Sequence, residues 1–163
     1  MHTQPTNATP VQGPSARRGF SLIELVLVMT IISILAAIAV PRYANALARY
    51  RADAAARRVV ADLDYARHVA SARSTSVTVD FKVGPDCILI QGVSDMETPG
   101  ATWALELDDP PYRADLVSAS FTGAKVIFDG YGVPDSGGTL VMRVGSEVRT
   151  VVLNAETGKA AIQ

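Results

Sequence analysis

Twenty-one consecutive residues, Phe20 to Val40 (FSLIELVLVMTIISILAAIAV), carry a single charge, the carboxylate of Glu24. About 20 apolar residues cross the hydrocarbon core of a bilayer as a helix, so this run predicts a membrane-spanning helix. A carboxylate inside such a run is costly: an ionised Asp at mid-membrane is disfavoured by about 2.5 to 3.5 kcal/mol on insertion scales, and Glu is expected to be similar. Some partner must compensate for it. The preceding MHTQPTNATPVQGPSARRG is polar and broken by Pro5, Pro10, Gly13 and Pro14, which predicts an unstructured leader.

Three readings account for this N-terminus. In an ordinary secretory signal, Arg17 and Arg18 supply the basic region and A-I-A at 37 to 39 the small-residue cleavage site. The apolar run is, however, longer than the 7 to 15 residues usual there. A plain single-pass anchor explains the length and leaves Glu24 without a role. The third reading rests on GFSLIELVLVMTIISILAAIAVPRY, about 25 residues that closely resemble the N-terminal segment of type IV pilins and type II secretion pseudopilins. Gly19, Phe20, Glu24, the apolar run and Pro41 with Arg42 and Tyr43 carry the resemblance.

The resemblance implies cutting between Gly19 and Phe20 by a prepilin peptidase, which also N-methylates the new Phe20 terminus. It implies insertion in the inner membrane with the head outside the cytoplasm. It further implies that Glu24 faces the terminal amine of an adjoining subunit in a helical filament, pairing that offsets most of the burial penalty and specifies register. On this reading residues 1–19 are a cleaved leader, 20–41 the transmembrane and assembly helix, 42–74 its amphipathic continuation and 75–163 a globular head. One feature runs against that orientation. Arg42, Arg49, Arg51, Arg57 and Arg58 outnumber Arg17 and Arg18 on the cytoplasmic side, whereas positive charge favours the cytoplasmic flank.

After Pro41 the stretch RYANALARYRADAAARRVVADLDYARHVASARS is rich in Ala and Arg and free of Gly and Pro, a strong helix-forming composition. Pro41 itself lacks an amide proton and predicts a kink in a continuous helix. Ala48, Ala52, Ala56, Val59, Leu63, Ala66 and Ala70 recur every three or four residues and predict one buried stripe. Arg57 with Asp53 and Arg67 with Asp64 are spaced as local ion pairs.

From Ser74 the period changes to two. VTVDFKV places Val77, Val79, Phe81 and Val83 on one face, and CILIQ, WALEL, LVSASF, KVIF, TLVMRV, RTVVL and AAIQ follow as short strands between turn-forming separators. One long helix followed by several hairpin-linked strands predicts an α+β protein in which an antiparallel sheet covers the helix. SDMETPGAT and DDPPYRAD read as exposed loops. Three patches in this part, DLDYARHVASARSTSVTV, VIFDGYG and RTVVLNAETGKAAIQ, resemble the GspH/FimT class of minor pseudopilins. They suggest a turn from Phe128 to Tyr131 and a final hairpin through Thr157 and Gly158.

The resemblance implies a structural subunit of a type II secretion pseudopilus that supports protein export, with other pseudopilins or pilins as partners. The alternative is a minor type IV pilin for DNA uptake, adhesion or pilus priming. No enzyme is expected, since no nucleophile, phosphate-binding or metalloprotease motif occurs, and no cofactor or metal is expected. His2, His68 and Cys87 do not stand at ligand spacing, and a single Cys permits no internal disulfide. Within CILI, Cys87 is expected to be a buried small hydrophobe. Two other sites stay open: Ca²⁺ at Asp129 and Asp135, whose loop lacks EF-hand spacing, and nucleic acid at Arg143, Arg149 and Lys159. Nucleic acid is not favoured, because residues 74–163 hold six basic side chains against twelve acidic, a net of −6.

Overall fold

The computed structural model describes residues 19–95 and 100–163. Of the expected leader only Gly19 is described, and residues 96–99 of the SDMETPG loop lie outside the described residues. Helix α1 runs Leu22–Arg73, continuous through Pro41. The chain divides into two units at Val40 and Pro41. The first unit holds the apolar start of α1. Every residue from Leu22 to Val40 is exposed there.

The second unit contains the rest of α1 and eight strands: β1 Val77–Lys82, β2 Cys87–Ser94, β3 Thr102–Glu106, β4 Asp115–Ala119, β5 Lys125–Phe128, β6 Gly138–Val144, β7 Glu147–Leu153 and β8 Ala160–Ile162. All eight coincide with runs of two-residue alternation. They form two four-stranded sheets, β3-β2-β1-β5 and β4-β6-β7-β8, with every pairing antiparallel. Alternation marks each strand and carries no information on which sheet it joins. The partition arises because the chain leaves β4 for β5, which returns to pair with β1, while β6 pairs with β4.

The face of α1 that meets the sheets is the predicted stripe. Ala52, Ala56, Val59, Leu63, Ala66 and Ala70 are buried and Ala48 is partly so, with Ala55 and Asp62 added. Val59 and Leu63 supply the bulk, each burial worth about 1.5 to 3 kcal/mol. The alanines let the sheets approach the helix closely. From the strands come Val77, Val79, Phe81, Ile88, Ile90, Val126 and Phe128 on one sheet, and Leu116, Leu140, Met142, Val151 and Leu153 on the other, all in one continuous core.

Two expectations fail at strand ends and faces. Val83 is 48% exposed, because β1 stops at Lys82 and Val83 enters the turn to β2. Cys87 is only half-buried: the period of two sends Ile88 and Ile90 inward and turns Cys87 to the outer face. Burial and the nearby Glu106 still push its thiol pKa up, with Lys82 opposing, which keeps the thiolate scarce.

Helix α1 ends at Arg73 because Ser74 takes a left-handed conformation with φ 49. Ser74 N–H then donates to Ser71 O and Thr75 N–H to Ala70 O, satisfying carbonyls that the helix end leaves free. Arg73 Nη1 reaches across and donates to Gly92 O on β2 at 2.8 Å, fastening that end to the sheet.

Candidate functional site

At the N-terminal side, Gly19 and Phe20 precede the helix, and Ser21 O accepts the N–H of Leu25 at 3.1 Å as its first bond. The Gly19–Phe20 peptide is therefore outside the helical hydrogen-bond ladder. A Cβ built on Gly19 would meet nothing within 4 Å, and Phe20 is 78% exposed. A protease takes its substrate as open, non-helical backbone, and the Gly19–Phe20 peptide is backbone of that kind. The helix starts at Leu22, two residues after Phe20.

Glu24 stands in the first turn of α1, exposed. A local reason for its position now appears that the apolar pattern concealed. Unpaired N–H groups at a helix start favour a negative side chain by about 0.3 to 1 kcal/mol. That offsets only a fraction of the insertion cost, and among the described residues no cation pairs with Glu24. The other polar side chains of the run include Thr30 and Ser33. Their hydroxyls donate to the carbonyls of Val26 and Met29, each at 2.8 Å. Thus Glu24, the one charged group of the segment, has no ion-pair partner among the described residues. Pro41 is the first residue of the second unit and lies within α1.

In the head, the three patches singled out by resemblance converge on the C-terminal end of α1. A Cβ on Gly130 would fall 2.9 Å from the Ser74 carbonyl carbon. On Gly132 (φ +79) it would fall 3.1 Å from Arg67 Cγ, and on Gly158 (φ +63) 2.9 Å from Gly132 O and 3.1 Å from Arg67 Cδ. Gly132 and Gly158 combine a left-handed backbone with this close approach, and only glycine meets both demands. The turn expected from Phe128 to Tyr131 is displaced by one residue, to Asp129–Gly132, closed by Gly132 N–H donating to Asp129 O, and the final hairpin is closed by Gly158 N–H donating to Asn154 O.

The carboxylates of that loop are already engaged. Asp129 Oδ1 accepts from Tyr131 N and Val133 N at 2.9 and 2.8 Å, and Asp135 Oδ1 from Ile127 N at 3.0 Å. They shape the turn. Among the described residues no group of three or more His, Cys, Asp or Glu side chains is placed to hold a metal. Of the residues weighed for nucleic acid, Arg143 and Arg149 are paired with acids. Arg143 meets Asp115 at 3.5 Å, and Arg149 meets Asp53 at 2.6 Å and Glu147 at 3.4 Å. Asp53 is consequently not the partner of Arg57, contrary to the local-pair expectation, whereas Arg67 and Asp64 do pair, at 3.6 Å.

A polar cluster that the sequence did not reveal lies where β3 meets α1. Asp62 is 6% exposed and pairs with Arg58 at 3.2 Å. The Arg58 guanidinium lies 5.5 Å over the Trp103 ring, which also packs at 5.5 Å on Tyr65. Burial pushes the Asp62 pKa up, opposed by Arg58 and by the nearby Trp103 indole. The indole N–H is close enough to favour the carboxylate, yet reaches no hydrogen-bond geometry with any acceptor. Asp62 falls on the buried stripe, and only its helical phase could have signalled this.

Comparison with known proteins agrees with the geometry at both ends. Residues 14–40 match the prokaryotic N-terminal methylation motif, and residues 55–158 match the type II transport protein GspH. The type IV major fimbrial protein FimA of Dichelobacter nodosus is 41% identical over 75 residues, 46% of this chain and 43% of that relative. The match thus spans under half the length of that protein. A crystal structure of the type IV minor pilin FimU of Pseudomonas aeruginosa superposes with a TM-score of 0.52 at 17% identity, over 71% of this chain and 90% of that one. The long helix with antiparallel sheets is therefore the pilin fold. With its head matched across residues 55–158 and its apolar helix within the methylation motif, the chain belongs to the family of the type II transport protein GspH.

Proposed function

We propose that this chain is a minor pseudopilin, a structural subunit of a type II secretion pseudopilus that supports protein export. The observation that carries the reading is the apolar helix segment, exposed along its whole length and preceded by an open Gly19–Phe20 peptide. Such a surface is stable only in lipid or among like helices. Prepilin peptidase cuts between Gly19 and Phe20 and methylates the Phe20 amine. That amine adds positive charge where the helix dipole is already positive, and Glu24 of a neighbouring subunit neutralises it. Pro41, inside the helix, shapes it by removing one backbone hydrogen bond. Before assembly the protein resides in the inner membrane with its head outside the cytoplasm. It acts mechanically, with no catalytic role.

The test is intact mass and N-terminal sequence of the full chain expressed with and without a prepilin peptidase. A chain starting at Phe20 with one added methyl group, formed only with the peptidase, is expected. A chain starting at Val40 would overturn the reading, since it would mean an ordinary secretory signal. The FimA relative, a type IV major fimbrial protein, supports a second reading, a subunit of a type IV pilus. Deletion in the native host separates them: secreted enzymes retained behind the outer membrane support the pseudopilus, and loss of surface pili with normal secretion supports the pilus.

A further inference from the structure

We infer that residues 41–51 form a collar that binds anionic phospholipid headgroups in the membrane leaflet facing the head. The segment PRYANALARYR gathers three arginines, Arg42, Arg49 and Arg51, and two tyrosines, Tyr43 and Tyr50, in one short stretch with no acidic residue. It follows the apolar run directly in the chain. From Arg42 to Arg51 the helix rises about 14 Å. A headgroup layer is about 5 to 8 Å thick, and arginine stems extend along a surface to place their charge at a chosen depth. The whole segment is therefore within reach of that layer.

The side chains are arranged for it. Tyr43 and Tyr50 are 72% and 71% exposed and stand seven residues apart, nearly two turns, on the face away from the buried Ala52. Tyrosine favours the membrane–water boundary. Arg42 and Arg49, also seven apart, flank one side of the pair and Arg51 the other. Among the described residues no acid pairs with Arg42 or Arg51, and Arg49 touches Glu147 at 3.5 Å while its side chain stays 66% exposed. A guanidinium matches a phosphate oxygen pair in its donor geometry, so Arg42 and Arg51, with the exposed side of Arg49, present anion-binding capacity along about 14 Å of helix. This also accounts for the arginine excess on the flank where the orientation rule expects few: the charges are held there to bind lipid.

The inference rests on the membrane-inserted reading above, and the experiment keeps the two apart. The full chain is reconstituted in vesicles of pure phosphatidylcholine or of phosphatidylcholine and phosphatidylglycerol in equal parts, each doped with a photoreactive analogue of one lipid. Insertion is scored by resistance to alkaline carbonate, and labelling within residues 41–51 by mass spectrometry. The expected result is carbonate resistance in both vesicles with preferential labelling by the phosphatidylglycerol analogue. R42Q/R49Q/R51Q abolishes the preference without altering insertion, R42K/R49K/R51K retains it, and each single R→Q change lowers it by roughly fivefold. Insertion with equal labelling by both lipids, or a preference that survives the triple Gln variant, overturns the collar alone and leaves a merely solvated helix face. Failure to insert overturns the membrane reading and the collar with it.

Discussion

Arg149 Nε donates to Asp53 Oδ1 at 2.6 Å, joining strand β7 to helix α1 across 96 residues of sequence. Glu147 sits between Arg149 and Arg49, so the β6–β7 hairpin holds the helix through two arginines. Asp53 is 43% exposed, which limits the contribution of the pair. D53N is expected to destabilise the head by about 1 kcal/mol, lowering its Tm by about 2 to 5 °C in thermal melts of the full chain in detergent. R149A should cost more, because it leaves Asp53 and Glu147 facing each other. Equal melts for all three proteins would show the pair to be energetically idle.

Gly158 is the most demanding of the glycines at the end of α1. G158A would incur about 1 to 2 kcal/mol for a left-handed non-glycine residue and about 1 to 3 kcal/mol for a Cβ forced against Gly132 O. A loss of about 2 to 5 kcal/mol and early proteolysis near residues 129–135 are expected. G84A is the control. Its backbone is also left-handed, at φ +113, but the added methyl enters open space, and its cost should be visibly smaller.

Asp62 makes the head's stability depend on pH. Its folded pKa is raised by burial above about 3.9 in the unfolded chain, so the folded state holds the proton more tightly. The stabilisation tied to this group is fully present below that unfolded value and is lost as pH rises through the raised folded value. D62N should remove this descending slope from a plot of unfolding free energy against pH, with the remaining carboxylates unaffected. An unchanged slope would mean that Arg58 keeps Asp62 ionised throughout.

Glu24 is predicted to act after processing, not in it. E24Q should be cut and methylated normally, since the open Gly19–Phe20 peptide does not depend on it. Filament incorporation should fall by at least about a hundredfold, the equivalent of removing one member of a buried ion pair worth 3 kcal/mol or more. Quantifying processed subunit in sheared filaments against membranes measures this. Normal incorporation of E24Q would remove Glu24 from the assembly contact.

Elements governed by local period were legible in the sequence, and relations between distant segments were not. The stripe from Ala48 to Ala70 and all eight strands could be read because burial repeats at the period of each element. Asp62 was overlooked since a charged residue inside an Ala-rich stripe looks like surface until its phase is compared with Val59 and Leu63. Asp53 was assigned to Arg57, four residues away, because the competing Arg149 becomes a neighbour only once β7 lies beside α1. The division into two sheets was hidden for the same reason. At the N-terminus, Glu24 could be recognised as anomalous from composition alone, but its place in the first helical turn needed the position of Ser21. The turn from Phe128 to Tyr131 and the hairpin at Gly158 are legible from their patches; that Gly130, Gly132 and Gly158 all crowd one helix end is not, since each patch gives a sufficient reason of its own.

That crowding sets an order on biogenesis. The contacts at the end of α1 unite residues 67 to 74, 130 to 132 and 158, separated by long stretches of chain, and non-local contacts form late. The set of glycine contacts at the helix end is complete only once residue 158 is available to fold. The earliest-made element must therefore wait for one of the last, and the C-terminal end of α1 is fully enclosed only when the final hairpin has been made.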